Sequence, residues 1–271
     1  GQMLIWDRVK VNWGRSEIEF DYVPERRKYA GIYSFNREFR LCGRAGRSFV
    51  IFVSGCPMRC QFCHNPDTWN MQAGEQRSAD ELLKQALRYR SYWKDGGGIT
   101  VSGGEPLMQI DFLIELFQKA KEQGVHTTID TSGAPFTREE PFFSKFNELM
   151  KYTDLLLLDI KHIDDEQHKT LTGHTNQNIL DLARYLSDIK KPVWIWHVLV
   201  PGRSDKDEYL EKLHDFIKTL DNVEKVEVLP YHTLGEYKWK ELGYDYPLAG
   251  VEPPTKERVE NANRILETGK K

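Results

Sequence analysis

Residues 55–69 read GCPMRCQFCHNPDTW, and they place Cys56, Cys60 and Cys63 in a C-x3-C-x2-C spacing. Three thiolates that close in sequence can hold one [4Fe–4S] cluster by three of its irons, whereas a fully ligated cluster takes four cysteines. The one other cysteine in the chain is Cys42. The spacing therefore leaves the fourth iron open to a chelating ligand, such as a molecule carrying an amine and a carboxylate. A zinc site built from the three cysteines and His64 is the other metal reading. His64 directly follows Cys63, which is tighter than the usual spacing of zinc ligands. The remaining alternative is three unrelated structural cysteines, which their clustering among only four cysteines in 271 residues opposes.

Working outward, the run FVIFVS (Phe49–Ser54) delivers this loop. An unbroken apolar run of that length suits a strand buried on both faces of a parallel sheet. Further apolar runs follow, each succeeded by a helical pattern. Strands are expected at 98–101, 126–129, 155–160, 193–200 and 226–229. Each ends in a polar motif: SGGEP (Ser102–Pro106), DTSG (Asp130–Gly133), DIK (Asp159–Lys161), PGRSD (Pro201–Asp205) and PYH (Pro230–His232). Helices are expected after Ser78, whose Asp80 and Glu81 give an N-terminal signature, and over 111–123, 142–150, 178–189, 207–220 and 254–266, with Pro254 suited to a first turn. Strand followed by helix, six times over, predicts parallel strands with right-handed crossovers. Six units fall short of the eight of a closed barrel, so the fold class is α/β with a partial (β/α)6 TIM-like barrel. Ligands in such barrels collect at the C-terminal strand ends, where every one of these motifs stands.

Composition narrows the function classes. The net charge of −3 gives no bulk electrostatic case for nucleic acid or anionic membrane. No run of eighteen apolar residues predicts a membrane span, and no basic start followed by an apolar stretch predicts a signal peptide. Clustered cysteines without a disulfide framework suit a reducing compartment. Charge is uneven along the chain: residues 1–48 hold ten Lys and Arg against six Asp and Glu, and eight of those ten cations are Arg. The chain thus divides at 48, with an atypical segment 1–48 preceding a domain over 49–271. Within the first segment, short strands are expected around Val9 and Val11 and around Ile18 and Phe20.

The cysteine spacing with Phe62 before the last cysteine resembles the radical S-adenosylmethionine (SAM) superfamily. The continuation CHNPDTW resembles the activating enzymes of glycyl-radical enzymes, and the likeness runs from about Phe49 to about Glu267. It implies a [4Fe–4S] cluster on Cys56, Cys60 and Cys63, with SAM on the open iron. It implies that Phe62, Cys63 and His64 lie beside the adenine, and that Gly103, Gly104 and Glu105 meet the methionyl amine. It further implies that Asp159, Ile160 and Lys161 bind the polar methionyl end and that His232 contacts the nucleoside. Asp130 and Thr131 resemble a monovalent cation site. The implied chemistry is one-electron cleavage of SAM to a 5′-deoxyadenosyl radical that takes a hydrogen atom from a partner's glycine, with no side chain needed as a general base. The implied partners are a glycyl-radical enzyme, pyruvate formate-lyase being the expected one, and a flavodoxin- or ferredoxin-type electron donor, for a cytoplasmic monomer. Other glycyl-radical partners, or a non-catalytic cluster-binding regulator, are the alternatives.

Two stretches depart from the family pattern. Family members carry a segment like G-x-I-H-S-x-x-x-x-G-x-V-D-G-P-G-x-R before the first strand, where this chain reads GIYSFNREFRLCGRAGRS (31–48). Shifted by one nucleotide, that stretch can decode as GYIHSTGNFGCVDGPGVR, so residues 1–48 are read as out of frame. The family's W-I-R-H-V-L-V-P-G stands here as WIWHVLVPG, with Trp196 at the arginine expected near the protein substrate.

Overall fold

The computed structural model describes residues 47–93 and 97–269, together with the backbone of strands 7–13, 16–22, 29–32 and 39–41. The strands are β1 (Asp7–Trp13), β2 (Ser16–Tyr22), β3 (Tyr29–Ile32), β4 (Phe39–Leu41), β5 (Arg47–Val53), β6 (Glu75–Ser78), β7 (Gly98–Gly103), β8 (His126–Thr131), β9 (Leu155–Asp159), β10 (Val193–Leu199) and β11 (Val223–Pro230). The helices are α1 (Ala79–Leu87), α2 (Ile110–Glu122), α3 (Phe142–Tyr152), α4 (Asp165–Thr172), α5 (Gln177–Asp188), α6 (Asp207–Ile217), α7 (Glu236–Glu241) and α8 (Lys256–Ile265).

Six strands run parallel in the order β5-β7-β8-β9-β10-β11. Spatial order follows chain order, so the sheet winds in one direction, as in a barrel, and lacks the reversal of a doubly wound sheet. The expected six-unit partial barrel is what forms. β3 and β6 extend the sheet beyond β5 in antiparallel pairing, and β4 also pairs with β5. β1 and β2 form a separate antiparallel hairpin over the stretches expected as short strands.

The burial patterns explain the architecture. In β9 the four leucines 155–158 are all buried, as both faces of a covered parallel strand require. On β10, Val193, Ile195, His197 and Leu199 are buried towards the helices, while the alternate residues Trp194, Trp196 and Val198 are half-buried. Phe112, Leu113, Leu116 and Phe117 make the apolar face of α2, each buried to within 2% of complete. Complete burial of each such side chain stabilises by roughly 1.5–3 kcal/mol. At α1, Glu81 N donates to Ser78 Oγ (3.3 Å) and Ser78 N to Glu81 Oε2 (2.8 Å), a reciprocal cap that fixes the helix start.

Several expected boundaries move: β11 begins at Val223 instead of 226, and α6 ends at Ile217 instead of 220. α8 starts at Lys256, because the Thr255 hydroxyl accepts from Arg258 N (3.3 Å) and so caps the helix after Pro254. α4 and α7 were not expected, and both bear on the site. Cys42 and residues 42–46, where the altered-frame reading places D-G-P-G, lie outside the described residues. Among the described residues, no helix is long and apolar enough to cross a membrane.

Candidate active site

The cysteine loop leaves the end of β5 and is pinned by main-chain hydrogen bonds. Gly55 N donates to Thr68 O (2.7 Å) and Cys56 N to Trp69 O (3.3 Å), so the stretch closes on itself. Arg59 N donates to Thr172 O (2.7 Å) and Gln61 N to Leu171 O (2.9 Å), which ties the loop to the last carbonyls of α4. Helix C-termini leave such carbonyls unsatisfied, and the loop fills them. α7 clamps the other side: Trp239 Nε1 donates to Cys63 O (2.8 Å), and Lys238 Nζ to Asn65 Oδ1 (3.0 Å) and Asp67 Oδ2 (3.2 Å). Gly235 permits this approach, because a Cβ there would lie 2.7 Å from His64 Cα.

Cys56, Cys60 and Cys63 line one cavity of about 650 Å³ with their thiols free. Burial, above all, raises the proton affinity of each, pushing Cys60 up to about 12; neighbouring cysteines add to it at Cys56 and Cys60, and Asp67 adds to it at Cys63. Lys161 opposes the rise at Cys60 and Cys63. A group of protonated, mutually disfavouring thiols is the donor set that a soft metal centre relieves, with release of the protons. Among the described residues, no three His, Cys, Asp or Glu side chains converge on a single ion. An iron–sulfur cube instead takes one thiolate per iron, so its ligands stand apart around it. His64 is engaged elsewhere: its Nε2 donates to His232 O (3.1 Å), and the two imidazoles lie 4.1 Å apart.

The other motifs divide between lining the cavity and building its walls. Gly103 and Gly104 line it, but their lack of side chains is required by the main chain behind them, β5 at Gly103 and the cysteine loop at Gly104. Gly104 N donates to Val53 O (2.9 Å) and Glu105 N to Gly55 O (2.7 Å), and a Cβ on Gly104 would sit 2.3 Å from Gly55 O. Glu105 is fully buried and occupied: Oε1 accepts from Leu107 N (3.0 Å) and Thr131 Oγ1 (2.5 Å), Oε2 from Ser132 N (2.9 Å) and Ser132 Oγ (2.5 Å). Its carboxylate bolts the end of β7 to that of β8. Ile160 likewise sits in the core, 1% exposed, with its carbonyl accepting from His197 Nδ1 (2.8 Å). Asp130 accepts from Ser102 Oγ (2.6 Å), and both residues line the cavity with Thr131.

Asp159 and Lys161 meet in the cavity wall, Nζ to Oδ2 at 2.6 Å, both side chains more than four-fifths buried. Burial works against the ammonium, but Asp159 and Cys60 outweigh it and hold its pKa above the usual lysine value. The ammonium also stands 5.2 Å from the centre of the Phe62 ring. Two buried atoms of cavity-lining residues have no hydrogen-bond partner, Asp159 Oδ1 and His232 Nδ1. A third is the indole nitrogen of Trp196, which neighbours Asp159 in the β9–β10 register. Orphaned buried polar atoms around one cavity mark places for a polar ligand.

Sequence reading missed the α7 residues Trp239 and Lys238 and the loop's own Arg59. Arg59 is 1% exposed, donates from Nη1 to Cys56 O (2.8 Å) and Met58 O (2.6 Å), and stacks 4.7 Å from the centre of the Trp69 ring. The hint was its place between two cysteines, where an arginine has no solvent-facing reason to stand.

Residues 50–217 match the radical SAM superfamily. A pyruvate formate-lyase-activating enzyme of Streptococcus mutans is 54% identical over 243 residues, covering 89% of this chain and 92% of that protein. One of Listeria monocytogenes is 55% identical over 224 residues, 82% of this chain and 90% of that one. The crystal structure of a domain of a pyruvate formate-lyase-activating enzyme from Bacteroides vulgatus superposes with a TM-score of 0.52 at 26% identity, covering 64% of this chain and 94% of that chain.

Proposed function

The chain belongs to the radical SAM superfamily and, within it, to the pyruvate formate-lyase-activating enzymes, and from that premise we propose that it installs an organic radical on a glycine of pyruvate formate-lyase. Membership brings a [4Fe–4S] cluster and SAM as cofactors. When bound, they supply the one-electron chemistry that removes a hydrogen atom from the glycine. The observation that carries the reading is one cavity holding three buried cysteine thiols together with the unpartnered Asp159 Oδ1 and His232 Nδ1.

The residues fit the cofactors. Cys56, Cys60 and Cys63 hold three irons, and the bonds from α4 and α7 keep their loop in shape. Lys161 attracts a carboxylate, while Asp159, half-satisfied by Lys161, still offers an oxygen to an ammonium or hydroxyl. Phe62 and the adjoining rings of His64 and His232, tilted by 33° to each other, give an aromatic surface with a polar edge, suited to adenine. Gly103 and Gly104 let a ligand approach the main chain, and Glu105 and Ile160 act from behind by fixing strand ends. Asp130, with the Thr131 oxygen, is the place for a monovalent cation. α7 closes the cavity beside the cysteine loop, limiting water. A flavodoxin- or ferredoxin-type protein donates the electron, and the chain works as a cytoplasmic monomer. Residues 49–271 form the catalytic domain, and 1–48 an atypical segment before it whose β3 and β4 join the same sheet.

The test is anaerobic. Reconstituted protein, SAM, a one-electron reductant and pyruvate formate-lyase should give a glycyl-radical electron paramagnetic resonance signal. SAM cleavage with a radical on a different glycyl-radical enzyme and none on pyruvate formate-lyase would reassign the partner. No SAM cleavage would defeat the reading.

A further inference from the structure

We propose that the exposed rim formed by Pro230, Leu234 and Tyr237 is the docking surface for the glycine-bearing segment of the protein substrate, an inference that rests on the cavity being the site of radical transfer. Among the described residues that line the cavity, these three are the exposed ones. None is charged, and all lie on one side, between the end of β11 and α7. Leu234 is 75% exposed and Tyr237 57%. Single apolar residues scattered over a surface need no explanation, but ones gathered at the mouth of a buried site point to a partner.

The fold holds this rim in place against the cysteine loop. Trp239, two residues on from Tyr237, is buried and donates to Cys63 O (2.8 Å). Gly235, next to Leu234, packs so close to His64 that a Cβ would lie 2.7 Å from its Cα. The rim thus stands at a fixed offset from the ligand cysteines, and little ordering is needed when a partner docks. The thiols lie deep, with Cys60 only 7% exposed. A glycine that reaches the interior therefore carries its flanking residues across the mouth. An electron donor needs nearness to the metal centre and no entry to the cavity, so the mouth belongs to the segment that enters. Charge is not the attractant. Lys238 Nζ pairs with Asp67 at 3.2 Å, and α7 holds two Glu against two Lys. The rim therefore fits an uncharged segment with an apolar side chain beside the glycine, recognised through buried area.

The test uses the anaerobically reconstituted full chain, SAM, a small chemical reductant and pyruvate formate-lyase. The glycyl-radical signal is followed as the pyruvate formate-lyase concentration is varied. Leu234→Ser with Tyr237→Ser removes the apolar rim; Leu234→Met with Tyr237→Phe keeps it. Both variants should hold iron as wild type does. The Ser variant should show a KM for pyruvate formate-lyase raised by about tenfold or more, with kcat within about twofold, and the conservative variant a wild-type KM. An unchanged KM in the Ser variant would overturn the proposal. So would a fall in kcat alone, which would make the two residues part of the cavity's shape, and so would loss of iron, which would make them structural. If a flavodoxin-type donor replaces the reductant and only the KM for that donor rises, the rim belongs to the donor and the proposal is again overturned. Wild-type protein that cleaves SAM yet places no radical on pyruvate formate-lyase would defeat the reading beneath the proposal, whatever either variant does.

Discussion

At the scale of single residues, the gathering of Cys56, Cys60 and Cys63 on one cavity was legible from their spacing alone, because it is set by a short stretch of chain. Replacing any one of them with Ala should abolish the roughly four irons per chain expected of a single cluster, whereas Cys42→Ala should retain them; iron and sulfide assays decide this. Lys161→Ala should weaken SAM binding while leaving the cluster spectrum intact. Loss of a charge-assisted bond worth about 1.5–3 kcal/mol corresponds to roughly a 10- to 150-fold rise in Kd, and unchanged affinity would remove Lys161 from the ligand's surroundings. Two buried histidines behind the site make a pH prediction. His162 (1% exposed) and His168 (fully buried) have their pKa values lowered to about 4, mainly by burial. Below about pH 6.5 the unfolded chain takes up these protons and the folded chain does not until about pH 4. The unfolded state thus binds more protons across that window, and stability falls as pH falls through it, by up to roughly 3 kcal/mol per histidine. Urea midpoints measured from pH 7 to pH 4 should decline, and His168→Asn should flatten the slope.

At the scale of elements, the six strand–helix units were legible because buried parallel strands are continuous apolar runs and their helices repeat every three to four residues. α4 and α7 were not, since α7 spans only Glu236–Glu241 and α4 has a sparse apolar face, with only His168, Leu171 and Thr172 buried. What they contribute is carbonyls and an indole N–H aimed at a distant loop, and no local pattern encodes that. Glu105 shows the same limit: its motif announced a strand end, but three of its four bonds come from Thr131 and Ser132 at the end of β8. Trp239→Phe removes the donor to Cys63 O while keeping a ring against Trp69, which it meets edge-on at 5.0 Å. That variant should fold with little change in Tm yet release iron severalfold faster when challenged with a chelator. Gly104→Ala should do worse. Its Cβ would meet a carbonyl oxygen at 2.3 Å, and overpacking of this kind costs roughly 1–3 kcal/mol, readable as a lower denaturation midpoint. A Gly104→Ala protein as stable as wild type would show that β7 can move away from the loop.

At the scale of the whole molecule, the sheet stays open at β11 among the described residues: its one strand neighbour there is β10, and its residues are largely half-buried or exposed. The cavity at the strand ends thus lies beside an open sheet edge, where a closed eight-stranded barrel would fill its interior with side chains. The frame of residues 1–48 belongs to this scale too. If they are out of frame, the D-G-P-G-restored protein should transfer the radical to the partner's glycine faster by about 10²-fold, the cost of a lost orienting contact. Single-turnover radical yields compare the two; equal yields would make the segment a genuine variation. A last consequence follows from how the cysteine loop is held. Gln61 Nε2 donates to a carbonyl 109 residues further along the chain, and Cys63 O accepts from an indole 176 residues further. During synthesis the thiols thus emerge from the ribosome long before the groups that shape their loop. A nascent chain stopped short of Thr170 has the ligands in sequence but not in space, so iron acquisition becomes a late event in the protein's life, and a truncated chain offers the cell reactive thiols instead of a metal site.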